Sequence, residues 1–385
     1  MSEKTSQNQK IDCAVYYGLL QKCGLSFFTG VPDSLLKDIC GFIADHAPMA
    51  NNIVAANEGA AVALAAGYHL ATGKTGMVYL QNSGLGNAVN PLTSLTDPEV
   101  YSIPLLLLVG WRGEPGTKDE PQHIKQGKVT LPILDVLTIP YEVHPLTIED
   151  SEPCLTRAID YMEKKKAPFA LVVRKGTFAE YKRKEESSSP YELNREAAIV
   201  SILEELDENA VIVSTTGMTS REVFEFRSRN KQGHNRDFLT VGSMGHASQI
   251  ALTIAKFRPG RQIYCIDGDG AFIMHMGSAG IVANQQAQNF KHIVINNGSH
   301  DSVGGQPTVG FSIDIPAIAR ACGYEMGLKC DTATGLKHAI QELKQCSGSA
   351  LLEVRVKRGV RANLGRPTQS PLENKTGFVK NLRND

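Results

Sequence analysis

The chain lacks an excess of charge of either sign, a cysteine pair and a long apolar run. Lys plus Arg and Asp plus Glu each total 40, so the formal charge is zero and no global field draws the protein to nucleic acid. No stretch approaches the roughly 18 apolar residues of a membrane span. Residues 1–10 are polar and carry no apolar signal core, which makes the cytoplasm, away from membranes, the expectation. Eight cysteines, at positions 13, 23, 40, 154, 265, 322, 330 and 346, are scattered without a Cys-x-x-Cys pair or a His at zinc spacing. This argues against a disulfide framework or structural zinc and for small buried hydrophobes or inert thiols.

At 385 residues the length suits two domains of about 150 to 200 residues. Short apolar runs alternate with helical patterns throughout. In the first half they cover 26–29, 52–55, 76–80, 104–109 and 169–173; in the second, 210–214, 238–241, 263–266, 292–295 and 350–356. Such alternation predicts an α/β protein with two doubly wound parallel sheets, each flanked by helices on both faces. Lys175 to Pro190 is charged and serine-rich and reads as a linker. The expected division is residues 1–178, a linker at 179–194, and residues 195–385.

Chemistry enters where strands end. Ile263-Tyr-Cys-Ile-Asp-Gly-Asp-Gly-Ala-Phe272 and His292-Ile-Val-Ile-Asn-Asn-Gly-Ser299 are buried-strand patterns that close on small polar residues. About one helix of chain separates Asp269 from Asn297. A Gly-Asp-Gly alone often just turns the chain, but a carboxylate and a carboxamide at adjacent strand ends also suit a hard divalent cation. Asn52-Ile-Val-Ala-Ala-Asn-Glu-Gly-Ala-Ala-Val-Ala-Leu-Ala-Ala-Gly67 leads a strand into an Ala/Gly-rich helix with Glu58 at its start. There the dipole alone favours a carboxylate. Phe238-Leu-Thr-Val-Gly-Ser-Met-Gly-His-Ala-Ser248 is a further strand and glycine turn. Gly84-Leu-Gly-Asn-Ala-Val89 is a poor dinucleotide fingerprint, because Val89 stands where a small residue is needed and no acid closes a following strand.

Taken together, these motifs resemble the thiamine diphosphate-dependent 2-oxo acid decarboxylases, over nearly the whole chain. The resemblance implies a pyrimidine-binding domain, a diphosphate-binding domain and the cofactors thiamine diphosphate and Mg²⁺. The linker leaves no room for the middle domain that many relatives insert. Asp269 and Asn297 would be side-chain metal ligands and Ser299 a backbone-carbonyl ligand. Gly268 and Gly270 would let the backbone approach the phosphates. Glu58 would hydrogen-bond the pyrimidine ring nitrogen, Met244 would bend the cofactor, and Gly242 would accept from its exocyclic amine. A homo-oligomer with cofactor sites at subunit interfaces is implied, hence at least a dimer.

The loops after the strands set the substrate. They resemble those of relatives whose 2-oxo acid carries a second anionic group, which demands several cationic or hydrogen-bonding side chains. Arg112, Lys118, Ser34, Asn87 and Ser302 are candidate substrate contacts; Asp33, His123 and His300 are candidates for proton transfer beside Glu58. The His-His pair of pyruvate decarboxylases is absent, which disfavours plain pyruvate. A phosphonate and a sulfonate both meet the demand. A non-catalytic subunit that merely binds the cofactor is the alternative of another class. Arg361 and Arg366 rank below these as substrate contacts, since they could instead hold a C-terminal arm across a partner subunit.

Overall fold

The computed structural model describes residues 10–184 and 189–383. They fall into two compact units: one runs to Glu186 and takes in Val303–Gln306, the other spans Ser187–Ser302 and Pro307–Asp385. Each unit holds one six-stranded, wholly parallel sheet.

In the first unit the strands are β1 (Phe28–Gly30), β2 (Asn52–Val54), β3 (Gly76–Gln81), β4 (Leu105–Gly110), β5 (Tyr141–Val143) and β6 (Phe169–Val173), in the order β2-β1-β3-β4-β6-β5. The second unit has β7 (Val211–Ser214), β8 (Asp237–Leu239), β9 (Ile263–Gly268), β10 (Phe290–Asn296), β11 (Met326–Cys330) and β12 (Ala350–Arg355), ordered β11-β12-β10-β9-β7-β8. Every residue of β4 and β10 is buried, as expected of strands covered on both faces. One apolar cluster lies on each side of each sheet. Leu106 and Leu108 pack with Tyr16, Leu20 and Leu155, whereas Leu105, Leu107 and Val109 pack with Ala61, Leu85 and Leu134. The second sheet divides in the same way between Ile293 and Val294.

The ten expected strands are all present, with ends shifted by a few residues. Two more, β5 and β11, carry no apolar run and lie at sheet edges. Their residues are mostly half-buried.

Each topology reverses direction at a central pair of strands. The chain leaves β1 toward one edge and β3 toward the other, and does the same at β7 and β9. In open α/β sheets a ligand crevice forms at the carboxyl ends of the strands flanking such a reversal. The loops after β1 and β3, and those after β7 and β9, are therefore where each unit is open to a ligand. The C-terminal segment bears on its own unit: Arg361 pairs with Glu196, at 2.9 Å, and with Glu225.

Candidate active site

At the carboxyl edge of the first sheet, Glu58 opens the helix Glu58–Thr72. Asn57 caps that helix by accepting the Ala60 N–H at 2.9 Å, a satisfied N-terminal donor. Glu58 is nevertheless buried, and its Oε2 accepts from Asn87 Nδ2 at 2.7 Å. A Cβ on Gly84 would lie 2.4 Å from the Glu58 carboxylate, and one on Gly59 would lie 2.8 Å from the Asn87 carbonyl oxygen. The two glycines thus let the β2 and β3 loops close on one another around a carboxylate, and two separately predicted residues meet there.

A second group gathers beyond β1 and β4. Arg112 donates Nε and Nη2 to the two oxygens of Asp119, at 2.8 and 2.5 Å, and Nη1 to Ser34 Oγ at 2.6 Å. His123 Nδ1 lies 3.0 Å from Asp119 Oδ1. Burial raises the Asp119 carboxyl, but the bonds from Arg112, His123 and the backbone outweigh it and hold it well below the carboxylate range. Burial, helped by the Arg112 charge, lowers His123 despite Asp119, so its imidazole is neutral at pH 7. Asn82, at the end of β3, donates to the Arg112 carbonyl at 2.8 Å and to Thr130 Oγ1 at 2.9 Å, tying this loop to the neighbouring strand end.

Asp33 lies fully buried under the same loops. Its Oδ2 accepts the Leu35 and Leu36 N–H groups at 3.0 and 3.3 Å, while Oδ1 has no partner among the described residues. Burial pushes this carboxyl up to about 6, against the backbone bonds and the Arg112 charge. Gly110 is obligatory beside it, since a Cβ there would sit 2.0 Å from Asp33 Oδ2. Lys118 is exposed on the turn before Asp119 and stands apart from this group.

In the second unit Asp269 starts the helix Asp269–Met274 directly after β9 and is buried. Burial pushes its carboxyl up to about 6, opposed by the Thr308 hydroxyl and by the Gly270 and Asn297 N–H groups. Asn297 follows β10, buried, with Oδ1 accepting the Ser299 N–H at 3.0 Å. Asn296 is structural: its Nδ2 donates to the Gly310 carbonyl and to Glu353, both at 2.7 Å. A buried carboxylate held by a hydroxyl and backbone amides, with a carboxamide on the next loop, is a donor set that fits a hard divalent cation. A Cβ on Gly268 would meet nothing within 4 Å, so the backbone there is open to a close ligand.

Gly242 and Met244 lie in the turn after β8, where Ser243 (φ 58) and Gly245 (φ 83) are left-handed. Met244 Cε and His300 Cε1 converge on Gly270, 3.4 and 2.9 Å from where its Cβ would be. Burial brings His300 down to about 4, so this imidazole too is neutral at pH 7. Ser302 is exposed in the short turn Asp301–Val303. Sequence reading did not single out Asp119, Asn82, Thr308 or Asp301, although each lies in a loop that follows a strand. It also missed Thr215, at the end of β7, whose buried Oγ1 has no partner among the described residues.

Two parallel-sheet units, one with a buried glutamate beyond a strand end and the other with a carboxylate and carboxamide suited to a cation, are the arrangement of a cofactor-binding α/β protein. The chain belongs to the thiamine pyrophosphate enzymes. Residues 14–131 match the "Thiamine pyrophosphate enzyme, N-terminal TPP binding domain" and residues 215–354 the "C-terminal TPP binding domain". It is similar to phosphonopyruvate decarboxylase of Streptomyces viridochromogenes, 33% identical over 365 residues, 91% of this chain and 89% of that one. The same enzyme of Streptomyces hygroscopicus is 34% identical over 366 residues, 91% of this chain and 88% of that one. Sulfopyruvate decarboxylase of Methanosarcina acetivorans is 26% identical over 392 residues, 94% and 96% of the two chains.

Proposed function

We propose that this chain is a thiamine diphosphate- and Mg²⁺-dependent decarboxylase that converts 3-phosphonopyruvate to phosphonoacetaldehyde and carbon dioxide, a step of phosphonate biosynthesis. The observation that carries the reading is the likeness to phosphonopyruvate decarboxylases across nine-tenths of the chain, 33 and 34% against 26% for the sulfonate enzyme. Residues before the linker form the pyrimidine-binding domain and those after it the diphosphate-binding domain. Copies of the chain associate so that each cofactor draws on both kinds of domain.

Asp269 and Asn297 with their side chains, and Ser299 with its backbone carbonyl, hold Mg²⁺ against the diphosphate. Three protein oxygens leave room for phosphate oxygens and water, which is how Mg²⁺ is usually held. Gly268 and Gly270 admit the phosphates, while Met244 and the Gly242 carbonyl fix the cofactor's rings. When bound, thiamine diphosphate supplies the carbon nucleophile and the electron sink that loss of carbon dioxide requires. Glu58, steadied by Asn87, shares a proton with the pyrimidine nitrogen. Arg112 and Ser34 present donors to the substrate's anionic group, with Asp119 fixing the guanidinium plane; Lys118 and Ser302 form an outer rim. Asp33, which binds a proton near pH 6, is matched to proton transfer at working pH; His123 and His300, both lowered by burial, are the alternatives and would give up a proton only from the imidazolium form.

Steady-state comparison of 3-phosphonopyruvate, sulfopyruvate and pyruvate, with the aldehyde identified, tests the substrate. Turnover is expected to favour the phosphonate. Preference for sulfopyruvate would move the chain to the sulfonate reaction, and release of no carbon dioxide from any 2-oxo acid would reduce it to a cofactor-binding subunit. Glu58→Gln is expected to remove nearly all turnover while leaving metal binding intact; full retained activity would overturn the assignment of Glu58.

A further inference from the structure

Asp301 was not singled out by the sequence and lies outside the set of residues expected to touch the cation, yet three groups converge on it. Its Oδ2 accepts from Asn297 Nδ2 at 2.8 Å, from the Gly359 N–H at 3.0 Å and from Arg195 Nη1 at 3.4 Å. Arg195 is buried and fixed on its other side by a two-pronged bond to Glu222, Nε to Oε2 at 2.9 Å and Nη2 to Oε1 at 3.0 Å. The same loop is also tied at Gly298, whose carbonyl accepts from Arg358 Nη2 at 3.2 Å.

A carboxamide has two ends of almost equal size, and only the oxygen is a ligand for a hard cation. A carboxylate accepts and never donates, so placed against one end of an amide it selects the NH₂ group. With Nδ2 of Asn297 held by Asp301, Oδ1 is turned the other way, where it already meets the Ser299 N–H at 3.0 Å. Arg195 compensates part of the Asp301 charge, and its salt bridge to Glu222 keeps it from swinging away. The Gly359 N–H adds a tether from the segment after β12.

We propose that Asp301 is the positioning residue of the cation site: it fixes the flip of the Asn297 amide so that the oxygen, not the nitrogen, faces the metal. The inference rests on Asp269 and Asn297 holding the cation. Partners of this kind, one shell out from a metal, change affinity by about 10- to 100-fold when removed.

The test is Mn²⁺ binding to the full chain, stripped of metal and saturated with thiamine diphosphate, with free Mn²⁺ read by electron paramagnetic resonance. Asp301→Ala is expected to raise the Mn²⁺ dissociation constant about 10- to 100-fold. Asp301→Asn, whose own oxygen the Gly359 N–H and Arg195 would hold toward Nδ2, is expected to recover most of that loss. A purely structural Asp301 would lower the melting temperature in Asp301→Ala and leave the Mn²⁺ constant within twofold, which overturns the inference. If Asp301→Ala does not fold, Asp301→Asn and Asp301→Leu are compared instead, and equal Mn²⁺ constants in the two overturn it as well. Asp269→Ala is the control: if it leaves Mn²⁺ affinity unchanged, the cation-site reading has failed; if it removes binding while Asp301→Ala does not, only the role of Asp301 has failed.

Discussion

Glu58 owes its position to two residues that carry no charge. Asn87 holds one carboxylate oxygen, and Gly84 leaves the space the other occupies, since a Cβ there would stand 2.4 Å away. Gly84→Ala is therefore expected to reduce kcat about 100-fold, the scale of a 1 Å misplacement, with little change in melting temperature; turnover and thermal unfolding measured on the same preparation check it. Asp33 makes a prediction of opposite sign for stability. Its carboxyl is raised to about 6 in the folded chain, so the stabilising contribution of its protonated form is full below the unfolded value near 4 and is lost as pH rises through 6. Asp33→Asn should then be more stable than the parent above pH 6, by up to about 3 kcal/mol, and equal to it below about pH 4. Urea unfolding at pH 4 and pH 8 measures the difference. Motif residues such as Glu58, Met244 and Asp269 were legible because their neighbours in sequence carry the pattern. Asp119, Asn82 and Asp301 were not, because each acts through a partner far along the chain or through an isolated contact that any polar residue of the loop might have made.

Among the elements, every inner strand announced itself, whereas two of the four edge strands, β5 and β11, did not. A strand covered on both faces is an unbroken apolar run, as in Leu105–Gly110, whereas β5 and β11 each face a neighbour on one side only and keep polar residues such as Glu142 and Lys329. Sheet order was likewise hidden: the sequence spaces strands and helices evenly, and only the pairing reveals where each chain reverses. The contrast has a measurable side. Leu352→Ala in β12, fully buried, is expected to destabilise the second unit by about 2 to 5 kcal/mol. Lys329→Ala in the neighbouring edge strand is expected to remain within about 1 kcal/mol of the parent, since its side chain is exposed. Denaturant midpoints of the two variants decide this.

At the scale of the whole molecule, the absence of net charge and of any helix long and apolar enough to cross a membrane among the described residues left the interpretation to local sites. Each unit carries only part of the proposed chemistry, with Glu58 in one and Asp269 in the other. Sedimentation is accordingly expected to give a mass at least twice the 41.8 kDa of one chain, and a monomer that turns over substrate would refute the shared site. The cysteines add something practical. Five are buried, and the three half-buried thiols divide between the units, Cys23 in the first and Cys322 and Cys346 in the second. The native chain therefore already holds attachment points for a pair of spectroscopic probes, and removing one of the two in the second unit would give a ruler for following the units as cofactor and substrate bind.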